Sequence, residues 1–77
     1  MKLFGYATTD LPPEEIEPSS LAEVTLCASP AELRAISNFL LHCAAEMEHM
    51  GDSYDHIHLS DQLKQFCSSP HLVVCRE

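Results

Sequence analysis

The chain has 77 residues, of which 12 are acidic and 4 are basic, so its formal net charge at pH 7 is −8. Such a surface is repelled by the phosphates of nucleic acid and favours a basic protein as its partner. A chain of this length buries one modest core with little room for a deep catalytic cavity, and no apolar run is long enough to indicate a membrane span or a signal peptide.

The first predicted element is a short strand at residues 3–8, with Phe4 and Tyr6 on one face. The segment at residues 9–20 follows, and its three prolines and three glutamates disfavour regular structure. We expect a solvated, acidic, Pro-rich loop there. The alternative is a docking loop for a basic partner.

A second strand is predicted at residues 21–28, because two sets of side chains alternate along it. The set expected to face a helix is Ala22, Val24, Leu26 and Ala28. The set on the opposite side is Leu21, Glu23, Thr25 and Cys27.

A long helix is predicted at about residues 30–50. Ser29 is placed to cap its first turn, Pro30 fits the first helical position, and the Glu32 side chain can reach back to the cap. Gly51 follows the last turn and can adopt the positive φ that ends a helix without a Cβ penalty. One stripe of the helix is apolar: it consists of Leu33, Ile36, Leu40, Cys43, Ala44 and Met47, with Phe39 and Met50 on its flank.

After the helix, the pattern predicts two more strands, at residues 56–59 and 71–75, with one or two helical turns at residues 60–66 between them. The element order is therefore β-β-α-β-β. We expect an α+β fold in one domain spanning residues 1–77. Its two layers would be a mostly antiparallel sheet of three to four strands and the long helix on one face of that sheet.

One helix cannot cover both faces of such a sheet, so the uncovered face is the first place to expect function. Its apolar side chains would need a loop or another chain to cover them. They are Leu21, Thr25, Cys27, Val73 and Cys75, joined by Phe4 and Tyr6 if the first strand has the matching register.

His56 and His58 stand two residues apart and point to the same side of the third strand. Core packing of Ile57 and Leu59, with the histidines in solvent, explains this alternation by itself. The functional alternatives are an edge that recognises a partner and a zinc site completed by Cys or Glu. The candidate binding residues at this edge are Tyr54, Asp55, His56, His58 and Asp61.

A secondary candidate surface lies on the polar side of the helix, where His42, Glu46 and His49 follow helical spacing. Two histidines and a carboxylate can bind zinc, but an exposed helix face lacks the enclosed cavity and the supporting hydrogen bonds of a catalytic site. We therefore expect a solvated polar face, and we predict neither a metal nor a cofactor.

Catalysis is not indicated by the residue types present. Four cysteines, five histidines and several aspartates make some nucleophile and base trio inevitable by count, and no glycine-rich phosphate loop exists. We predict that the chain is not an enzyme. In the cytoplasm, its expected location, the cysteines should be free thiols that are buried or half-buried, with a structural disulfide as the alternative.

Five segments between residues 21 and 76 carry a resemblance to a known family. They are Glu23–Leu26, Ser29–Arg34, Phe39–Met47, His56–Asp61 and Leu72–Val74. These segments resemble a group of small bacterial proteins that includes the immunity protein 32 family, whose members accompany polymorphic toxins. The resemblance implies a protein that neutralises a cognate toxin by direct binding, and it assigns no catalytic residue.

The combined expectation is a non-enzymatic protein-binding domain, and its specific form is an immunity-like inhibitor that recognises a basic surface of a toxin. One alternative is a homodimer that packs its uncovered sheet faces together. The other is a metal-binding protein that uses histidine and cysteine side chains.

Overall fold

The computed structural model describes all 77 residues, and its longest element is the helix α1 at Pro30–Met50. The capping box predicted at its start is confirmed. The Glu32 backbone N–H donates to Ser29 Oγ at 3.1 Å, and the Ser29 backbone N–H donates to Glu32 Oε1 at 2.8 Å. These bonds satisfy N–H groups that the first turn of a helix leaves unpaired.

The helix ends at Gly51, whose backbone N–H donates to the Met47 carbonyl. The predicted positive φ is confirmed at 56°, with a ψ of −129° that differs from the left-handed helical value. A Cβ built at this position would meet no atom within 4 Å, so the requirement for glycine comes from the backbone conformation alone.

The four strands form two separate antiparallel ribbons. In the N-terminal ribbon, β1 (Leu3–Gly5) pairs with β2 (Ser19–Leu21). In the C-terminal ribbon, β3 (His56–His58) pairs with β4 (Val73–Cys75). The α+β class is thus confirmed, whereas the prediction of one sheet of three to four strands is wrong.

The second strand differs most from its prediction. Leu3 pairs with Leu21, so the ribbon ends there and residues 22–28 lie beyond the end of β1. Residues 23–28 form no backbone hydrogen bond with any other part of the chain. Val24 and Leu26, which were expected to face the helix, are 62% and 58% exposed because no strand lies beside them.

Short helical segments complete the chain. The predicted turns after β3 are the helix α2 (Leu59–Gln62) and a 3-10 turn at Lys64–Phe66. Another 3-10 turn, Pro13–Glu15, lies in the acidic loop, whose last residues, Ser19 and Ser20, belong to β2.

The core lies between α1, the segment from α2 to Phe66, and the C-terminal ribbon. No residue before Ala35 belongs to the core, so no N-terminal segment covers the side of α1 that carries Leu33 and Leu40. These two side chains are 44% and 47% exposed. At about 100° per residue, the buried stripe is rotated by roughly 60° from the predicted one. The core residues are Ile36, Phe39, Cys43, Leu59 and Phe66, flanked by Ala35, Ile57, Leu63, Leu72 and Val74.

The chain is more open than most domains of its size. Its accessible surface is 6442 Å², whereas a compact monomer of 8.6 kDa exposes about 4,700 Å². Its radius of gyration is 13.5 Å, compared with about 11.5 Å for a compact chain of this length. Surface that a compact domain would bury is therefore open to solvent.

Candidate interaction surface

The outward face of the C-terminal ribbon gathers three histidines. The antiparallel register places His56 opposite Cys75 and His58 opposite Val73, and side chains of alternate residues share a face. His71 precedes β4 by two residues and lies on the same side. We call this surface the histidine face: it consists of His56, His58, His71, Val73 and Cys75.

The imidazole rings of the histidine face pack edge to face. The ring centroids of His56 and His58 are 5.1 Å apart, and those of His58 and His71 are 5.8 Å apart. His71 is absent from the residues that the sequence suggested. The sequence does contain a signal for His71: it stands two residues before Val73, and alternate residues of a strand share a face, so this spacing places it on the side of Val73 and Cys75.

Two of the predicted binding residues are acidic: Asp55 contacts the histidine face, and Asp61 follows β3 in the chain. His56 Nδ1 and Asp55 Oδ2 are 2.7 Å apart, and the ring donates to the carboxylate when Nδ1 carries the proton. Both side chains reach solvent, as does Asp61 on α2. Asp55 therefore holds one ring of the face through a hydrogen bond, while its carboxylate stays open to solvent.

Tyr54 takes a different role from the other predicted residues, because its side chain is only 5% exposed. Its hydroxyl donates to the Val74 carbonyl at 2.8 Å and so ties the end of the turn after α1 to β4. Burial, with smaller contributions from the Cys43 and Cys75 thiols and the Glu46 carboxylate, raises the pKa of Tyr54 to about 12.

The secondary candidate surface on α1 is a set of separate side chains. Glu46 is half-buried, His49 is exposed, and His42 lines a shallow hollow of about 290 Å³ with Phe39 and Gln62. No hydrogen bond or ion pair joins any two of His42, Glu46 and His49. No group of three or more His, Cys, Asp or Glu side chains in the chain is arranged to hold a metal ion.

All four cysteines are free thiols, and only Cys43 is buried. The expectation of burial is wrong for Cys27, Cys67 and Cys75. Cys27 lies in the segment that no strand covers, Cys67 follows a surface turn, and Cys75 points outward from β4. Their exposure follows from the absence of a second layer over these segments.

An apolar groove adjoins the histidine face. One wall is formed by residues 24–28, the other wall by residues 69–72, and the floor by Ile36, Leu59 and Phe66. Its volume is about 430 Å³, and Glu32 lies at its rim. Hydrogen bonds from Ser29 lower the pKa of the Glu32 carboxyl, so the rim carries a negative charge at neutral pH. His71 belongs to both the groove and the histidine face.

The family model of immunity protein 32 matches residues 23–77. The match begins after the N-terminal ribbon, and it includes all of α1, the C-terminal ribbon and both walls of the groove. No curated protein and no solved structure matches the chain. Separately, no helix combines the length and the apolar composition needed to cross a bilayer.

Proposed function

We propose, because the chain belongs to the immunity protein 32 family, that it binds a cognate toxin protein and blocks it by direct contact. The family match over residues 23–77 is the observation that carries this proposal. The role needs a surface that is complementary to one partner, and it needs no catalytic group.

The partner in this proposal presents a basic surface. The net charge of −8 supports this choice, because opposite charges speed the encounter of two proteins and disfavour wrong partners. Exposed charges are screened over about 8 Å at physiological salt. Association should therefore slow as salt is added.

The contact surface in this proposal is the histidine face with two exposed carboxylates, that of Asp55, which is bonded to His56, and that of Asp61 on α2. Imidazole and carboxylate groups can pair with lysine and arginine side chains of a partner. Tyr54 supports this surface from below through its bond to Val74. The set His42, Glu46 and His49 remains the secondary candidate surface.

The test first identifies a toxin domain among the proteins encoded next to the gene of this protein. Its binding is then followed by surface plasmon resonance at low and high salt. The association rate should fall by about tenfold or more between about 50 and 500 mM salt. The double variant His56→Ala/His58→Ala should bind more weakly than His42→Ala/His49→Ala, which removes the two histidines of the secondary candidate surface. The reverse order of affinities would move the contact surface to α1. An association rate that ignores salt would contradict a basic contact surface, and absence of binding would contradict the proposed function.

A homodimer is the second candidate. The observation in its favour is the accessible surface of 6442 Å², well above the about 4,700 Å² of a compact monomer. Sedimentation equilibrium distinguishes a homodimer from a monomer that binds a toxin. A mass near 8.6 kDa at high micromolar concentration would exclude the homodimer.

A further inference from the structure

Residues 23–28 have the alternating sequence of a strand, and their backbone is unpaired. Their side chains alternate, but none of their backbone N–H or C=O groups bonds to the rest of the chain. The whole chain forms 36 backbone hydrogen bonds, whereas about 50 are typical of 77 residues. This segment therefore offers the hydrogen-bonding edge that a further strand needs.

The apolar groove lies directly beside this unpaired edge. Its floor is the core itself, since Ile36, Leu59 and Phe66 reach into it from below. Val24 and Leu26, which line it, are both more than half exposed. A strand placed between residues 24–28 and residues 69–72 would bury these side chains and insert its own onto the core.

We propose that this groove receives a β-strand of the cognate toxin, which pairs with residues 23–28. This inference rests on the proposed function and names the surface that performs it. In recognition by strand addition, main-chain hydrogen bonds supply affinity, and alternate side chains in pockets supply specificity. His71 is shared with the histidine face, so the strand and the histidine contacts form one continuous footprint.

Charge selects the toxin rather than a second copy as the occupant. Glu32 lines the groove, Glu23 directly precedes the first residue of its wall in the chain, and each copy carries a net charge of −8. A second copy would bring the same carboxylates to the same rim, whereas a strand with lysine or arginine beside its apolar residues would neutralise them.

Hydrogen exchange measured by NMR tests the pairing. In the free protein, the amides of residues 23–28 should exchange fast because they are unbonded. On binding of the toxin domain, alternate amides should become protected, since only every second N–H of an extended chain points to one side. Binding with no protection in residues 23–28 would overturn this inference and leave the proposed function standing.

Two proline variants test the same bonds by affinity. Proline lacks a backbone N–H, so Val24→Pro and Thr25→Pro each remove one N–H group. In an extended chain the N–H groups of consecutive residues point to opposite sides, so only one of the two variants removes an N–H that faces the toxin strand. Both variants should fold, because neither N–H is bonded within the chain. One of the two should weaken toxin binding by about tenfold or more, since a carbonyl of the toxin loses its donor.

The matched control is Thr8→Pro, at an exposed residue outside every strand and helix, which should bind like the wild type. Unchanged affinity in both groove variants would overturn the inference. Protection of residues 23–28 without toxin, together with a dimer mass, would assign the groove to a second copy and would also overturn it. A toxin domain that does not bind at all would overturn both this inference and the proposed function.

Discussion

At the scale of single residues, similar side chains serve different purposes according to their burial. Tyr54 lies among residues that suggested a binding edge, yet its hydroxyl is bonded to Val74 inside the protein. His71 had no distinguishing motif of its own, yet the strand register brings it beside His58. Burial and register depend on residues distant in the chain, so spacing alone does not settle these roles.

Tyr54 should make the protein sensitive to alkaline pH. Its pKa is raised from 10.0 to about 12 in the folded state, so the folded protein retains a proton that the unfolded chain releases. The stabilisation is complete below pH 10 and is lost as pH rises from about 10 to about 12. Urea unfolding across this pH range should show that the free energy of unfolding falls steeply with pH in the wild type and less steeply in Tyr54→Phe.

The same substitution removes the hydrogen bond to Val74, which should cost about 1 kcal/mol at pH 7. Tyr6→Phe is the matched control because Tyr6 is exposed and forms no hydrogen bond. Equal alkaline slopes in the wild type and in Tyr54→Phe would show that Tyr54 does not titrate in this way.

At the scale of elements, α1 is defined by local signals at both ends. Ser29 and Glu32 form a reciprocal pair at its start, and Gly51 adopts a positive φ at its end. These signals depend on neighbours within four residues, so the sequence alone could predict them. The strands depend on distant partners, and residues 23–28 of the predicted second strand have none.

The capping box should contribute measurably to stability. Ser29→Ala removes the acceptor for the Glu32 N–H and should lower the free energy of unfolding by about 1 kcal/mol, as measured by urea unfolding. Ser53→Ala, at an exposed serine without a side-chain hydrogen bond, is the matched control. An equal loss in the two variants would rule out a specific contribution of the cap.

The capping box should also make stability depend on pH in the acidic range. The backbone N–H of Ser29 and then its side chain lower the pKa of Glu32 from 4.5. Stabilisation by this carboxylate is therefore present above pH 4.5 and is lost as pH falls through the lower folded-state pKa. Glu32→Gln should flatten this part of the stability profile, and a profile identical to that of the wild type would contradict the assignment.

At the scale of the whole molecule, the chain consists of a packed part and an open part. All core residues lie between Ala35 and Val74, and the N-terminal ribbon and residues 23–28 contribute none. The large accessible surface arises from this division. An open part of this kind suits a protein whose remaining contacts are made with a partner.

Removal of residues 1–22 should therefore leave the core folded. The melting temperature, followed by circular dichroism at 222 nm, should change by less than about 5 °C, which corresponds to roughly 1 kcal/mol or less. As a control, Phe66→Ala creates a cavity in the core and should cost about 3–5 kcal/mol. A truncated chain that melts like Phe66→Ala would show that the N-terminal ribbon stabilises the core.

The sequence by itself determined the helix, its caps, the α+β class, the alternation of Ile57 and Leu59 against His56 and His58, and the resemblance to a family. Each of these depends on nearby residues or on a pattern along one segment. Only the tertiary structure decided how many sheets form, which stripe of α1 is buried, and that His71 joins the histidine face. These features depend on which distant segments pair and pack, and residues 23–28 pair with none: the missing neighbouring strand leaves a predicted core strand as an open edge.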